Sequence, residues 1–424
     1  LTLTLLTVGD ELLIGQVVNT NAAWIGEQLS AIGLSVARVV SVGDDAGAIG
    51  DELLRGLAQT DGVLITGGLG PTHDDITKRA VAAALGLRLE FREDLLAEVR
   101  RKFEARGRPM ADANRLLAEV PEGFEPLANP VGTAPGLWYA GAAPGAAGER
   151  VVAILPGVPF EMKTLLREHV LPRLAVRQGE AALVQKTLHT AGAGESDLAA
   201  SLDGLEDRLS DRLKLAFLPN YGTVRLRITA LGDTRPDAAA RLAAFEAYLR
   251  ERLGDFVFGE GEVTLAAVVG EVLRARGLTV AVAESCTGGR IADAITDVPG
   301  ASGYFRGGAV VYGNDTKSSL LDVDAATIAR DGAVSEAVAR ALAAGVRERL
   351  SADLGLSATG VAGPGGGTPD KPVGTVWIGY ADETGTHAVR LQLTPERHLN
   401  KRLTTTYALD LLRRQLLRRD RRAG

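Results

Sequence analysis

The chain has 424 residues, 46% of them hydrophobic, with one cysteine and a formal net charge of −6 at pH 7. This length and apolar content suffice for two to four domains with more than one core, and a single cysteine excludes an internal disulfide and any multi-cysteine zinc or iron–sulfur site. The acidic balance disfavours nonspecific nucleic-acid binding, and no apolar run reaches membrane-spanning length, so a cytoplasmic protein is expected.

Residues 1–9 alternate like a strand and lack the basic start and cleavage site of a signal peptide. Through residue 172, candidate strands at 3–8, 34–41, 61–66 and 151–155 alternate with candidate helices at 21–32, 45–59, 74–85, 93–106 and 158–170. That order predicts an α/β, doubly wound parallel sheet, whose ligands sit beyond the carboxyl ends of the strands. Gly9, Asp10 and Glu11, the run from Thr66 to Pro71, and Pro156 with Gly157 all fall at such ends, while 140–148 reads as a surface loop. Gly67, Gly68 and Gly70 lead through Thr72 and His73 into Asp74 and Asp75, a glycine turn before a helix start that suits a pyrophosphate. The two acids favour a divalent metal or are ordinary helix caps, and Asn19 and Asn21 either cap the following helix or read a nucleoside.

From about 180 to 256 the pattern becomes strand, helix, two strands and a long helix, with Pro219 to Gly222 as the turn between strands 214–218 and 223–231. Balanced charge in this small α+β module gives RNA binding no electrostatic support. Gly259, Glu260, Gly261 and Glu262 read as a linker, and the stripe Leu265, Val268, Val269, Val272 and Leu273 marks a helix that opens a further α/β domain.

In that domain, a buried-looking strand at 280–284 runs into Ser285, Cys286, Thr287, Gly288 and Gly289. Ser285 is a candidate nucleophile or a helix cap, and Cys286 a rival nucleophile or buried filler. Thr287 can cap the next helix, and the N–H groups near Thr287 and Gly288 can hold an oxyanion. Lys317 is the candidate base: the chain has 39 arginines and eight lysines, and an amine can lose its proton when buried whereas a guanidinium cannot. Tyr312 orients Lys317, stacks on an aromatic ligand or packs at a strand end, and Glu284 is an ion-pair partner or a loop anchor. The loop 359–368, with Gly360, Gly363, Gly365 and Gly366, lacks Walker A spacing but can cradle a phosphate, and Arg397 and Arg402 offer charged forks. Arg413, Arg414, Arg418, Arg419, Arg421 and Arg422 read as the cationic end of a final helix and not as a nucleic-acid patch.

Taken together, the motifs at 7–21, 67–75, 129–136, 155–159 and 283–289 resemble those of the CinA, or competence/damage-inducible, family over nearly the whole length. The resemblance implies a molybdopterin-binding-like domain at 1–172, a KH-type module at 173–258 whose 191–196 segment is not the G-x-x-G loop that grips RNA, and a deamidase domain at 259–424. It implies hydrolysis of nicotinamide mononucleotide to nicotinate mononucleotide and ammonia, with Ser285 attacking, Lys317 as base and Tyr312 beside them, and no cofactor. For the first domain it implies ADP-ribose pyrophosphatase activity with a divalent ion (Mg, Mn or Co) near Asp75, Asp74 and Asp10. The substrate contacts implied are Glu284, Thr287, Gly288, Gly289, Gly360, Gly363, Gly365, Gly366, Arg397 and Arg402 in one half. In the other they are Asn19, Asn21, Gly67, Gly68, Gly70, Thr72, Gly132, Pro156 and Gly157. A homodimer is expected, with no membrane or nucleic-acid partner. Two other readings stay open: a molybdopterin-handling transferase, and a non-catalytic competence-associated nucleic-acid factor.

Overall fold

The computed structural model describes residues 1–178 and 183–423, with side chains described to residue 419. The expected onset of the middle strand near 180 and the side chains of Arg421 and Arg422 therefore lie outside the described residues. The chain forms two compact units, Leu1–Gln185 with Leu231–Ala239, and Lys186–Ala230 with Ala240–Gly424. Among the described residues no helix is long and apolar enough to cross a membrane.

In chain order the first unit comprises β1 (Thr2–Val8), α1 (Asp10–Leu13), α2 (Thr20–Ala31), β2 (Ser35–Val42), α3 (Ala46–Gln59), β3 (Gly62–Thr66), α4 (Thr77–Leu85), β4 (Leu89–Phe91) and α5 (Glu93–Ala105). It continues with β5 (Glu119–Pro121), β6 (Glu125–Leu127), β7 (Gly136–Ala142), β8 (Glu149–Leu155), α6 (Pro159–Leu165) and α7 (Leu171–Gln178). The sheet order is β2-β1-β3-β8-β7-β6. Period-two alternation along β1 sends Leu3 and Leu5 into one core, with Ile25, Leu29 and Met162, and Leu6 and Val8 into the other, with Ile49, Leu53 and Val81. Helices thus cover both faces, as the α/β reading requires.

Three expectations need correction here. The sheet is mixed: β7 runs antiparallel to β8, and β6 to β7. Residues 140–142 belong to β7, so only 143–148 form the loop; their glycine and alanines hide a strand whose neighbours, not whose composition, fix it. The helix expected from 74 starts at Thr77, because the Asp75 carboxylate accepts from Thr72 N at 2.9 Å and holds 72–75 in a turn.

The remaining elements are β9 (Leu183–Ala191), α8 (Glu195–Ala200), α9 (Leu205–Arg208), β10 (Leu213–Asn220), β11 (Thr223–Leu231), α10 (Arg235–Leu253) and β12 (Val257–Glu260), with sheet order β10-β11-β9-β12. Gly259 and Glu260, expected in a linker, pair with His189 and Leu188. Then follow α11 (Leu265–Ala275), β13 (Val280–Glu284), α12 (Arg290–Thr296), β14 (Phe305–Val310), α13 (Asn314–Leu321), α14 (Ala325–Asp331), α15 (Glu336–Arg349), β15 (Leu354–Gly360), β16 (Thr375–Asp382), β17 (Gly385–Gln392) and α16 (Arg397–Ala423). Their sheet runs β14-β13-β15-β16-β17, with β13 parallel to both its neighbours. One face packs Val280 and Val282 with Leu273, Ile291 and Leu412; the other packs Ala281 and Ala283 with Leu321, Val338 and Leu342.

Candidate active sites at the strand ends

At the carboxyl ends of β1, β3 and β8, close backbone approach dictates the glycines. A Cβ at Gly67, whose φ is +112°, would lie 2.1 Å from the Val8 carbonyl oxygen, and one at Gly68 would lie 2.2 Å from Thr77 Oγ1. Gly157 stacks on Gly67, where an added Cβ would come 3.4 Å from the Gly67 Cα, and Thr66 Oγ1 donates to the Pro156 carbonyl at 2.9 Å. Gly132 faces Glu161, and buried Asn129 ties that loop by accepting from the N–H groups of Val131 and Gly132 and donating to Glu161. Thr7, Glu11, Asn19, Asn21, Thr66 and Gly157 line a cavity of ≈ 110 Å³ at these ends.

The two asparagines differ in what they leave free. Asn19 caps α2 by accepting from Ala22 N at 3.0 Å, and its amide donates to Thr7 Oγ1 at 2.9 Å. Asn21 donates to the Gly157 carbonyl at 2.7 Å, while its buried Oδ1 has no protein partner. That orphaned acceptor points to a ligand donor.

The acids expected to hold a metal do not converge. Asp75 Oδ2 accepts from Thr72 N and from Thr72 Oγ1, and a Cβ at Gly70 would collide with it at 2.4 Å. Asp74 is exposed beside His73, and Asp10 accepts from Asp44 N at 3.1 Å while its own N–H donates to Asp44 Oδ2. Among the described residues no three His, Cys, Asp or Glu side chains are grouped to hold a metal ion, so the set Asp75, Asp74 and Asp10 does not fit one as it stands. Negative charge does gather around Asp44: burial first, then Asp10, Glu11 and Asp74, push its carboxyl above the ordinary range.

In the second unit, Ser285 extends β13, which lies between β14 and β15. Its N–H donates to the Ala358 carbonyl at 2.9 Å, and Val311 N donates to the Glu284 carbonyl at 2.8 Å, which fixes Ser285 in the crevice flanked by β14 and β15. The Glu284 side chain, 1% exposed, accepts from Gly289 N at 2.9 Å, Ile291 N at 3.1 Å and Ala292 N at 2.8 Å. It is the loop anchor, with most of its acceptor capacity taken by the turn, and its charge answers the start of α12. Gly288 N donates to the Ser285 carbonyl at 3.2 Å. The N–H groups of Gly288 and Gly289 are therefore engaged within the turn, contrary to the expectation that Gly288 would help hold an oxyanion. Thr287, fully buried, leaves its Oγ1 without a partner and does not cap the helix.

Lys317 is 1% exposed, at the start of α13 behind β14. Its Nζ donates to the carbonyls of Val311 at 2.9 Å, Tyr312 at 3.2 Å and Gly313 at 3.3 Å. Burial pushes its ammonium below the ordinary lysine value, while the three acceptors can serve all three N–H groups of the charged form. Among the described residues no hydrogen bond joins Ser285 Oγ to Lys317, and contacts of this kind tighten with substrate bound. Cys286 sits in the apolar core with its thiol pushed up to about 12 by burial, which disfavours the thiolate a cysteine nucleophile needs.

The flanking loops meet at Arg397, which donates to the Gly363 carbonyl at 2.8 Å and to Tyr312 Oη at 2.9 Å. Tyr312, 61% exposed, thus answers Arg397 and is not core packing. Gly360 and Gly363 pack against Val376 and Val373, whereas Gly365 and Gly366 are exposed. Arg402 is drawn away, its guanidinium 4.5 Å over the ring of Tyr221. One cation was missed from the sequence: Lys401, whose Nζ would be 3.2 Å from a Cβ on Gly288. The scarcity of lysine that singled out Lys317 applies to it equally, but nothing in linear spacing brings α16 to the turn after β13.

Comparison with known proteins matches residues 4–176 to the family described as "Probable molybdopterin binding domain", residues 185–259 to "Damage-inducible protein CinA KH domain", and residues 262–416 to "CinA C-terminal domain". A CinA-like protein of Salinibacter ruber is 49% identical over 97% of this chain and 98% of its own length. The chain belongs to the CinA family. A CinA-like protein of Frankia casuarinae is 44% identical over 97% of this chain and 95% of its own, and the crystal structure of a CinA from Thermoplasma acidophilum shares 40% identity over 41% of this chain and 97% of that one, with a TM-score of 0.37.

In this CinA-family chain the KH-type segment is bound up with α16. Gly192 lies where any side chain would meet Arg414 and Asp410, both at 2.5 Å, and Arg414 donates to the Ala191 carbonyl at 3.0 Å. Arg413 and Asp410 form a buried pair at 2.7 Å, Arg413 also donates to the Asp255 carbonyl, and Thr406 Oγ1 donates to the Tyr221 carbonyl. Arg419 pairs with Asp382 and Glu383. These terminal arginines hold the fold together, in keeping with the reading of a final helix.

Proposed function

We propose that this CinA-family protein is a bifunctional hydrolase of pyridine-nucleotide breakdown products. The C-terminal domain deamidates nicotinamide mononucleotide, and the observation that carries this reading is a buried lysine, Lys317, within electrostatic reach of Cys286, the residue after Ser285. Ser285 Oγ attacks the carboxamide carbon as its proton passes to the neutral Lys317 amine, which gives up one carbonyl contact to free its lone pair. The resulting ammonium returns the proton to the departing nitrogen and ammonia leaves; water, deprotonated by the same amine, then attacks the acyl-serine, and the amine passes that proton to the departing Ser285 Oγ as nicotinate mononucleotide is released. Tyr312, held by Arg397, borders this site. No cofactor is needed for this half.

For the first domain the proposal is ADP-ribose cleavage to AMP and ribose 5-phosphate at the 110 Å³ cavity, supported by the unpartnered Asn21 Oδ1, which would accept from a nucleoside or ribose donor. Dependence on a divalent ion (Mg, Mn or Co) belongs to this proposal, with no chemical step assigned to it. A cytoplasmic homodimer completes the reading. Release of ammonia from nicotinamide mononucleotide, and of AMP from ADP-ribose, by the purified chain tests both halves; ammonia release lost in Lys317→Ala while AMP release persists is expected, and absence of both in the wild type refutes the proposal.

A further inference from the structure

The substrate proposed for the C-terminal site carries a phosphate, and several of the groups first expected to receive it are engaged elsewhere, although Gly365 and Gly366 of the 359–368 loop are exposed. The amides of Gly288 and Gly289 bond to Ser285 and Glu284, Arg397 bridges Gly363 and Tyr312, and Arg402 lies over Tyr221. We propose that Lys401 is the phosphate-recognising residue of this site, an inference that rests on the deamidase reading for its substrate.

Four observations converge on it. First, Lys401 Nζ and Cε would lie 3.2 and 3.8 Å from a Cβ on Gly288, so the ammonium rests directly against the nucleophile turn. Gly288, at φ +63°, leaves room for that approach. Second, among the described residues no carboxylate pairs with Lys401, whereas Lys317, Arg397 and Arg402 each engage a carbonyl, a hydroxyl or a ring. Third, its positive charge reaches Cys286, the neighbour of Ser285, where it works against the burial that raises the thiol. Fourth, its backbone is fixed: the adjacent Asn400, 1% exposed, donates to the carbonyls of Ala362 at 2.9 Å and Thr394 at 2.7 Å, and accepts from Thr394 N at 3.0 Å. An unpaired ammonium on a rigid support, beside a turn in which the Gly288 and Gly289 amides are engaged, is suited to bind a phosphate as a point charge.

The test is steady-state kinetics of Lys401→Met and Lys401→Arg on nicotinamide mononucleotide and on nicotinamide riboside, which lacks the phosphate, together with a phosphorus NMR titration with inorganic phosphate. Lys401→Met should raise KM for the mononucleotide about tenfold with kcat within about threefold, leave the riboside unaffected, and weaken phosphate binding about tenfold; Lys401→Arg should retain most of the affinity. A kcat loss of equal size on both substrates would place Lys401 at the reacting carbonyl and overturn the proposal, as would phosphate binding that is unchanged in Lys401→Met. Lys401-dependent phosphate binding by a wild type that releases no ammonia would sustain the anion site while removing the deamidase reading.

Discussion

Asp75 in the first unit and Glu284 in the second occupy related places, each an acid beside a glycine turn at a strand end, and each serves backbone N–H groups where a ligand was expected from the sequence. They differ in depth. Asp75 is partly exposed and satisfies one N–H and one hydroxyl, both from Thr72; Glu284 is buried and satisfies three N–H groups at the start of α12. A shallow fastener holds its turn less firmly. A buried one fixes the turn, so under the proposed function recognition falls to side chains: Ser285 within the turn, Lys317 from α13 and Lys401 from α16.

The largest effect that can break this comparison is at Lys317. Lys317→Ala should lower kcat for deamidation by about 10²–10⁴-fold, and Lys317→Arg should be nearly as damaging because guanidinium does not accept a proton near neutrality. Substantial activity in the arginine variant, read by ammonia release, would reduce Lys317 to a structural ammonium held by its three carbonyls.

The two fasteners can be set against each other directly by urea unfolding. Glu284→Ala would leave three N–H groups without their charged acceptor in a buried setting and should cost about 3–5 kcal/mol, whereas Asp75→Ala should cost about 1–2 kcal/mol. The same Asp75→Ala variant should impair ADP-ribose cleavage and leave deamidation within about twofold, as for uncoupled sites. Equal destabilisation by the two substitutions would erase the distinction drawn between the turns.

A smaller and graded effect is the pH profile. Burial lowers the Lys317 pKa, so the neutral amine becomes more abundant as pH rises, and kcat/KM for deamidation should climb with pH and level off below the ordinary lysine value of 10.5. A flat profile from pH 6 to 9 would count against proton abstraction by this amine.

Much of this was legible in the sequence because it is local. Period-two and helical stripes mark β1, β3, β8, β13 and α11, and the glycines of 67–70 and 288–289 declare turns that need positive φ or close approach. Three kinds of feature were not legible. β7 and β12 owe their existence to partners distant in the chain, so Gly136 to Ala142 and Gly259 with Glu260 look like loop or linker. For Glu284 and Asp75 the sequence offers alternative roles, an anchor or cap among them, without choosing, although the donors lie within eight residues, while the role of Arg402 depends on the ring of Tyr221 brought from a distant part of the chain. Lys401 reaches the turn only because Asn400 pins the first turn of α16 to the 359–368 loop.

The central claim, that the turn after β13 presents a serine nucleophile, is tested most directly by measuring ammonia release from nicotinamide mononucleotide by the wild type, Ser285→Ala and Cys286→Ala. Loss of several orders of magnitude in Ser285→Ala, with Cys286→Ala within about threefold of wild type, is the predicted result. Activity retained in Ser285→Ala and abolished in Cys286→Ala would contradict it.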